Sequence, residues 1–134
     1  MNIRTVCVVG AGTMGNGIAH VFAQYGFAVT LNDVRQNLLD RGMATIAANL
    51  HRQVRKGTLT EEQKRQVLSR IAPGTDLDAG AAGADIVIEA ATEHAETKKE
   101  IFRRLDAACR PGVILASNTS SISITEIGAV TKRP

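Results

Sequence analysis

The feature that most constrains this fold is a glycine pattern that follows an apolar run near the N-terminus. Val6–Val9 are apolar, and the next residues read Gly10-Ala11-Gly12-Thr13-Met14-Gly15. Apolar residues then recur at helical spacing at Met14, Ile18, Val21, Phe22 and Tyr25. Gly26 is placed to end that helix. The pattern predicts a strand, a tight turn and a helix in direct succession, as in the first unit of a parallel α/β sheet.

Each glycine of this turn has its own expected role. Gly10 permits the tight turn, Gly12 lacks a Cβ that would keep a phosphate away from the backbone, and Gly15 lets the helix pack closely on the strand. The helix N-terminus has unpaired N–H groups and a partial positive charge, which favour an anion. The alternative is a βαβ unit with a capping acid and no ligand.

An acidic residue follows the second predicted strand, Phe27–Asn32. Asp33 lies 18 residues after Gly15, close to the roughly 20 expected of the acid that binds the adenine ribose of a dinucleotide. A carboxylate at this position accepts hydrogen bonds from ribose hydroxyls and repels a 2′-phosphate, so it favours NAD over NADP. Arg35 is placed to offset part of that repulsion.

Helices and strands alternate through the rest of the chain. The predicted strands are Ile3–Val9, Phe27–Asn32, Ile71–Ala72, Asp85–Glu89 and Val113–Ala116. The predicted helices are Thr13–Tyr25, Gln36–Lys56, one from the capping box at Thr60 to about Ser69, Leu77–Ala82, Ala95–Cys109, and a short one after Ser123. This alternation predicts a doubly wound, parallel Rossmann-type sheet in one domain, residues 1–134.

Composition narrows the function classes. Aromatic residues make up 3% of the chain, too few for base stacking to drive nucleic-acid binding. Eight basic and three acidic residues lie between Arg35 and Arg70, which suits an anionic ligand or a solvated helix face. The two separated cysteines, Cys7 and Cys109, indicate neither a metal site nor a disulfide framework. We therefore expect a cytoplasmic protein without a membrane or nucleic-acid partner.

Three stretches together resemble the 3-hydroxyacyl-CoA dehydrogenase family, particularly its bacterial 3-hydroxybutyryl-CoA dehydrogenases. They are Gly10–Asp33, Asp85–Phe102 and Ile114–Ile127, and the sequence SNTSS at Ser117–Ser121 is the most specific part. The resemblance implies NAD-dependent, reversible oxidation of a (S)-3-hydroxyacyl-CoA, such as 3-hydroxybutyryl-CoA, in fatty acid and butanoate metabolism. It also implies a homodimer, formed by a C-terminal helical domain beyond Pro134.

The same resemblance implies roles for individual residues. It places the pyrophosphate on the turn residues Gly10, Ala11, Gly12, Thr13, Met14 and Gly15. It places the rest of the cofactor against Asp33, Ala90, Glu93, Lys98 and Asn118. Ser120 corresponds to the serine that hydrogen-bonds the reacting 3-oxygen. Asn49 and Lys56 correspond to positions that contact the CoA moiety.

Most of these assignments have a structural alternative. Asn118 and Ser120 are also typical of turns at a strand exit, and Lys56 is also a cation at a helix C-terminus. Glu93 and Lys98 also fit a helix-start acid and a solvated base. No metal site is expected.

The catalytic acid–base pair is expected outside this chain. In the family it is a His in a segment resembling HFFNP, assisted by a Glu, and both would follow Pro134. We assign structural roles to His20, His51 and His94 and expect the chain alone to be inactive. Alternatives to the dehydrogenase are a non-catalytic NAD-binding module, such as a redox sensor or a crystallin-like protein, and a 3-hydroxyisobutyrate-type dehydrogenase.

Overall fold

The computed structural model describes residues 3–90, 95–108 and 114–117. The strands are β1 Thr5–Val9, β2 Ala28–Asn32, β3 Ile71–Gly74, β4 Ile86–Glu89 and β5 Ile114–Ser117. The helices are α1 Thr13–Gln24, α2 Gln36–Arg55, α3 Glu61–Ser69, α4 Leu77–Ala82 and α5 Ala95–Ala108. All strand pairs are parallel, and the sheet order is β3-β2-β1-β4-β5. The predicted doubly wound sheet is confirmed.

The bounds of the elements differ slightly from the predicted ones. Two strands differ by two residues: β1 begins at Thr5 instead of Ile3, and β3 continues beyond Ala72 through Pro73 to Gly74. Proline is tolerated there because β3 lies at the edge of the sheet and pairs only with β2. Phe27 precedes β2 instead of starting it. The predicted short helix after Ser123 lies outside the described residues.

The central strand β1 is buried on both faces of the sheet, which is why it reads as a continuous apolar run. Val6 and Val8 belong to the core beneath α1, α2 and α3, and Cys7 and Val9 belong to the core beneath α4 and α5. Helix α2 contributes the predicted apolar residues Leu39, Ile46 and Leu50 to the first core. Among the described residues, no helix is both long and apolar enough to cross a membrane.

Helix α1 packs through small residues, which the apolar pattern did not indicate. Its buried residues are Gly15, Asn16, Ala19 and Ala23. Three of the large apolar residues at helical spacing are exposed instead: Met14 by 59%, Val21 by 54% and Tyr25 by 80%. At Gly15 the approach of α1 to the turn leaves no room even for a Cβ. Further along the helix, Ile18 and Phe22 are partly buried and pack against the first core, so the apolar pattern is correct for these two residues.

Candidate functional site

The glycine-rich turn connects β1 to α1 at the carboxyl edge of the sheet. Gly10 has φ of 108°, a left-handed conformation that residues with a Cβ rarely adopt. Its N–H donates to the carbonyl of Asn32, the last residue of β2, at 2.6 Å. The turn is thereby joined to the end of the neighbouring strand.

Gly12 and Gly15 lack a Cβ for opposite reasons. A Cβ on Gly12 would have no heavy atom within 4 Å, so this side of the turn faces open space. A Cβ on Gly15 would lie 1.6 Å from the carbonyl oxygen of Gly10. Gly15 therefore permits close packing, as predicted, whereas Gly12 leaves one side of the backbone accessible to a ligand.

The N-terminus of α1 has no side-chain cap. Its N-cap residue is Gly12, which has no side chain to accept a hydrogen bond from the first N–H groups of the helix. By contrast, Thr60 caps α3 in the predicted capping box, and Asp76 caps α4. Because the first N–H groups of a helix have no partner within the helix, α1 presents donors and a positive dipole end to whatever occupies the open side of the turn.

Asp33 holds the turn as well as facing the site. One carboxylate oxygen accepts from the backbone N–H of Ala11 at 3.0 Å, and the other accepts from the N–H of Arg35 at 3.0 Å. A carboxylate has about four acceptor positions. The half-buried Asp33 therefore keeps acceptor capacity for two further donors while its orientation is fixed.

Two residues that sequence reasoning missed also support the turn. The side-chain amide of Asn16, which is 7% exposed, donates to the carbonyl of Gly12 at 2.8 Å. Gly42 lets α2 approach, because a Cβ there would lie 2.8 Å from the carbonyl oxygen of Ala11. A glycine inside an otherwise regular helix is a recognisable signal of close approach. The partner that approaches it is visible only in the fold.

A cavity of about 510 Å³ opens beside Asp33. Its volume is within the range of small-molecule sites. The residues that line it come from β1, β2, the start of α2, α4 and α5: Val9, Gly10, Asn32, Asp33, Val34, Arg35, Leu38, Leu77, Glu100, Ile101 and Arg104. Of these, only Gly10 and Asp33 are sequence-predicted site residues. The lining residues of α4 and α5 lie more than 40 positions after Asp33 in the chain.

The remaining predicted site residues are only partly brought together. Ala90 follows β4, and its N–H donates to the carbonyl of Val9 at 2.8 Å, which places it at the same edge of the sheet. Lys98 belongs to the first turn of α5. Glu93, Asn118 and Ser120 lie outside the described residues.

Asn49 and Lys56 lie away from this edge. At 1.5 Å per residue, they are about 20 Å and about 30 Å along α2 from its N-terminus. Asn49 accepts a hydrogen bond from Arg52, and Lys56 is the exposed C-cap of α2. The structure does not bring either residue to the cavity.

The described histidines lie apart from the cavity lining. His20 shares a 2.9 Å hydrogen bond with Gln24 one turn later on α1, and His51 is exposed on α2. His94 lies outside the described residues. In the ranges that the structure describes, no three His, Cys, Asp or Glu residues form a group that could hold a metal ion.

Comparison with known proteins identifies the family. The model of the 3-hydroxyacyl-CoA dehydrogenase NAD-binding domain matches residues 5–134. The chain belongs to this family. The resemblance of its three motifs is thereby confirmed, and so is NAD as the cofactor of the family.

Individual members of the 3-hydroxyacyl-CoA dehydrogenases match along nearly the whole chain. A 3-hydroxybutyryl-CoA dehydrogenase of Bradyrhizobium diazoefficiens is 54% identical over 98% of this chain and 45% of its own length. A 3-hydroxyadipyl-CoA dehydrogenase of Escherichia coli is 48% identical over 100% of this chain and 28% of its own length. This chain thus spans less than half of either relative.

Solved structures agree with this assignment. The crystal structure of an (S)-3-hydroxybutyryl-CoA dehydrogenase from Ralstonia eutropha superimposes with a TM-score of 0.94 at 48% identity. The match covers 98% of this chain and 46% of the other. The Rossmann-type arrangement of the glycine-rich turn, Asp33 and the cavity therefore lies in a fold shared with dehydrogenases of this family.

Proposed function

We propose that this chain binds NAD at the carboxyl edge of its sheet and forms the cofactor half of a dehydrogenase that reversibly oxidises a (S)-3-hydroxyacyl-CoA to the 3-ketoacyl-CoA. The observation that carries the proposal is the turn itself. The uncapped N-terminus of α1, the open side of Gly12 and the fixed carboxylate of Asp33 lie together. These features match the requirements of a pyrophosphate followed by a ribose.

Each part of the dinucleotide has a proposed place among these residues. The pyrophosphate would lie against the N–H groups at Gly12, Thr13 and Met14, and the adenine ribose would donate to Asp33. Adenine would fill the apolar part of the cavity between Val34 and Ile101. When bound, the nicotinamide ring supplies the hydride acceptor or donor of the reaction. The protein contributes position and electrostatic field.

The opposite end of the cofactor is proposed to lie along the residues that follow β4 and β5. Ala90 is at that edge, and Glu93, Lys98 and Asn118 are proposed as further cofactor contacts. Ser120 is proposed to donate to the 3-oxygen of the substrate. These assignments rest on the family motifs, and they agree with the rule that ligands lie beyond the carboxyl ends of parallel strands.

The acyl group is the least constrained part of the proposal. The names of the two relatives share a CoA thioester with a 3-hydroxyl group and differ in the acyl chain. We favour 3-hydroxybutyryl-CoA, the substrate in the name of the relative with the higher identity, with Asn49 and Lys56 contacting CoA. We also propose a homodimer in the cytoplasm, with the general base outside the described residues.

Direct titration tests the cofactor assignment. NADH emission increases when the ring enters a protein site, and the chain has no tryptophan to interfere. We expect saturable NADH binding and weaker NADPH binding, because Asp33 repels a 2′-phosphate. Tighter binding of NADPH than of NADH by the unaltered chain would contradict the assignment of Asp33.

A further inference from the structure

The outer side of α1 carries an apolar stripe. Four large apolar side chains are exposed among the described residues, and three of them belong to this helix: Met14, Val21 and its C-cap residue Tyr25. Since a helix turns by about 100° per residue, Val21 and Tyr25 both project within about 20° of Met14. The three side chains therefore form one line, about 16 Å long, along the helix.

This helix also lacks the charged residues of a helix that faces water. Thr13–Gln24 contains no Asp, Glu, Lys or Arg, whereas α2 has charged residues such as Asp40, Arg41 and Arg52 on its exposed side. A surface helix of a globular protein normally has charged and polar residues opposite its buried stripe. The outer side of α1 therefore has the composition of a helix that is covered.

The neighbouring strand β4 is incompletely buried on the same face of the sheet. Ile86 and Ile88 pack against the core beneath α1 but are only half-buried, whereas Val87, on the opposite face, is fully buried. Because β4 lies between β1 and β5, both of its faces are expected to be buried. The described helices of this face, α1, α2 and α3, contact β1, β2 and β3. They leave the face of β4 partly open.

We infer that Met14, Val21, Tyr25, Ile86 and Ile88 form one docking surface, the α1–β4 surface, which is covered by an apolar segment from the part of the longer dehydrogenases that this chain does not span. The chain spans 45% of the Bradyrhizobium diazoefficiens relative and 46% of the Ralstonia eutropha structure, so each has more than the same length again to supply that segment. The inference goes beyond the proposed function, because it does not depend on where the cofactor binds.

The size of the surface favours a segment of the same polypeptide over a second copy of this chain. A stable interface between separate molecules usually takes about 20–30 residues a side, far more than the α1–β4 surface offers. A covalently linked segment needs less contact, because its effective concentration is high. Its contacting face is apolar, since α1 has no charged side chain to pair with a buried charge.

The test compares two proteins: the 134-residue chain, and a chimaera in which this chain replaces the matched region of the Bradyrhizobium diazoefficiens relative. Val21→Lys and Tyr25→Lys each place a charge on the stripe, and Gln66→Lys places one on the exposed side of α3 as the matched control. In the chain alone, all three should change Tm by no more than about 1–2 °C, because the sites are exposed. In the chimaera, Val21→Lys and Tyr25→Lys should lower Tm by roughly 5 °C or more, because the lysine is buried without a partner. Gln66→Lys should again have little effect.

Chemical labelling gives a measurement that does not depend on stability. The thiol of Val21→Cys should react rapidly with a maleimide in the chain alone and at least about tenfold more slowly in the chimaera, with peptide mass spectrometry identifying the labelled site. Acetoacetyl-CoA-dependent NADH oxidation shows that the chimaera has folded. If the chimaera is inactive, the same substitutions at the aligned positions of the intact relative make the same comparison.

Two results would overturn the inference. One is that the lysine variants and the labelling rate behave alike in the short and the long protein, which would leave the α1–β4 surface open to solvent in both. The other is that the 134-residue chain sediments as a dimer and Val21→Lys returns it to a monomer, which would make a second copy the occupant. Neither result affects the NADH titration, so the proposed function stands or fails separately.

Discussion

Gly12 and Gly15 are three residues apart in one turn, yet the structure gives them different tolerances. Gly12 has an extended backbone, with φ of −68° and ψ of −168°, that any residue can adopt. Its missing Cβ points into open space, whereas that of Gly15 points at the carbonyl of Gly10. The first glycine is therefore required only when a ligand is present, and the second is required by the fold.

Gly12→Val should abolish NADH binding while leaving the fold intact, because the branched side chain would fill the space of the pyrophosphate. Circular dichroism, thermal unfolding and NADH titration on the same sample check this. Gly15→Ala is the matched control, because its Cβ would lie 1.6 Å from a backbone oxygen. We expect it to lower the free energy of unfolding by about 1–3 kcal/mol or more, as overpacking usually does. Unchanged NADH affinity in Gly12→Val would show that the dinucleotide does not lie on this turn.

At the residue scale, the sequence indicated which groups could contact a dinucleotide but not what holds them in place. The spacing of the glycines and Asp33 follows a local rule of turn and strand geometry. The hydrogen bond from Ala11 to Asp33 joins residues 22 positions apart. The Asn16 bond, although local, depends on which face of α1 is buried. Contacts of this kind follow from packing, which periodicity alone does not determine.

At the element scale, close approach decides how α1 and α2 pack against the turn. The fully buried residues of α1 are small or polar. Of its large apolar residues, Ile18 and Phe22 pack against the core, whereas Met14 and Val21 are exposed, so periodicity indicated the inward face only in part. Helix α2 buries the apolar residues that the pattern predicts. Gly42 is the exception, because a larger residue would not fit where the helix contacts Ala11. Periodicity predicted α2 correctly because its contacts are mostly between apolar side chains.

A pair of glycine substitutions tests this account of the helices. An exposed helical Gly→Ala change usually stabilises by roughly 0.5–1 kcal/mol, and we expect this gain for Gly17→Ala, where a Cβ has nothing within 4 Å. Gly42→Ala should instead destabilise by about 1–3 kcal/mol, because its Cβ would lie 2.8 Å from the Ala11 oxygen. Urea unfolding measures both free energies. A gain in stability for Gly42→Ala would show that α2 and the turn are not tightly packed.

At the scale of the whole molecule, the proposed cofactor site lies within the described residues, whereas the proposed general base does not. The turn, Asp33 and the cavity are the parts that we propose to bind the pyrophosphate and the adenosine of the dinucleotide. The two described histidines, His20 and His51, lie outside the cavity lining. The topology was predictable because alternating strands and helices permit few arrangements. The cavity was not, since its walls come from distant elements.

The 134-residue chain alone should therefore bind NADH but oxidise it slowly with acetoacetyl-CoA. General acid–base assistance is typically worth 10²–10⁴-fold, and we expect a deficit at least of that order relative to a full-length relative. Measuring NADH affinity and acetoacetyl-CoA-dependent NADH oxidation on one preparation checks both parts. Ser120→Ala should cause little further loss in this chain. Ordinary turnover would mean that a base lies within residues 1–134, and substitutions of His20, His51 and His94 would then identify it.

The double hydrogen bond of Asp33 also has a thermodynamic consequence for binding. Its side chain is ordered when the chain folds, because both oxygens are already engaged by Ala11 and Arg35. A ribose that uses the remaining lone pairs therefore meets a preorganised acceptor, and the complex loses little side-chain entropy. The same arrangement couples recognition to rigidity. In the proposed cofactor geometry, Asp33→Ala would therefore alter ribose recognition and also remove the hydrogen bond that holds Ala11 in the turn proposed to bind the phosphates.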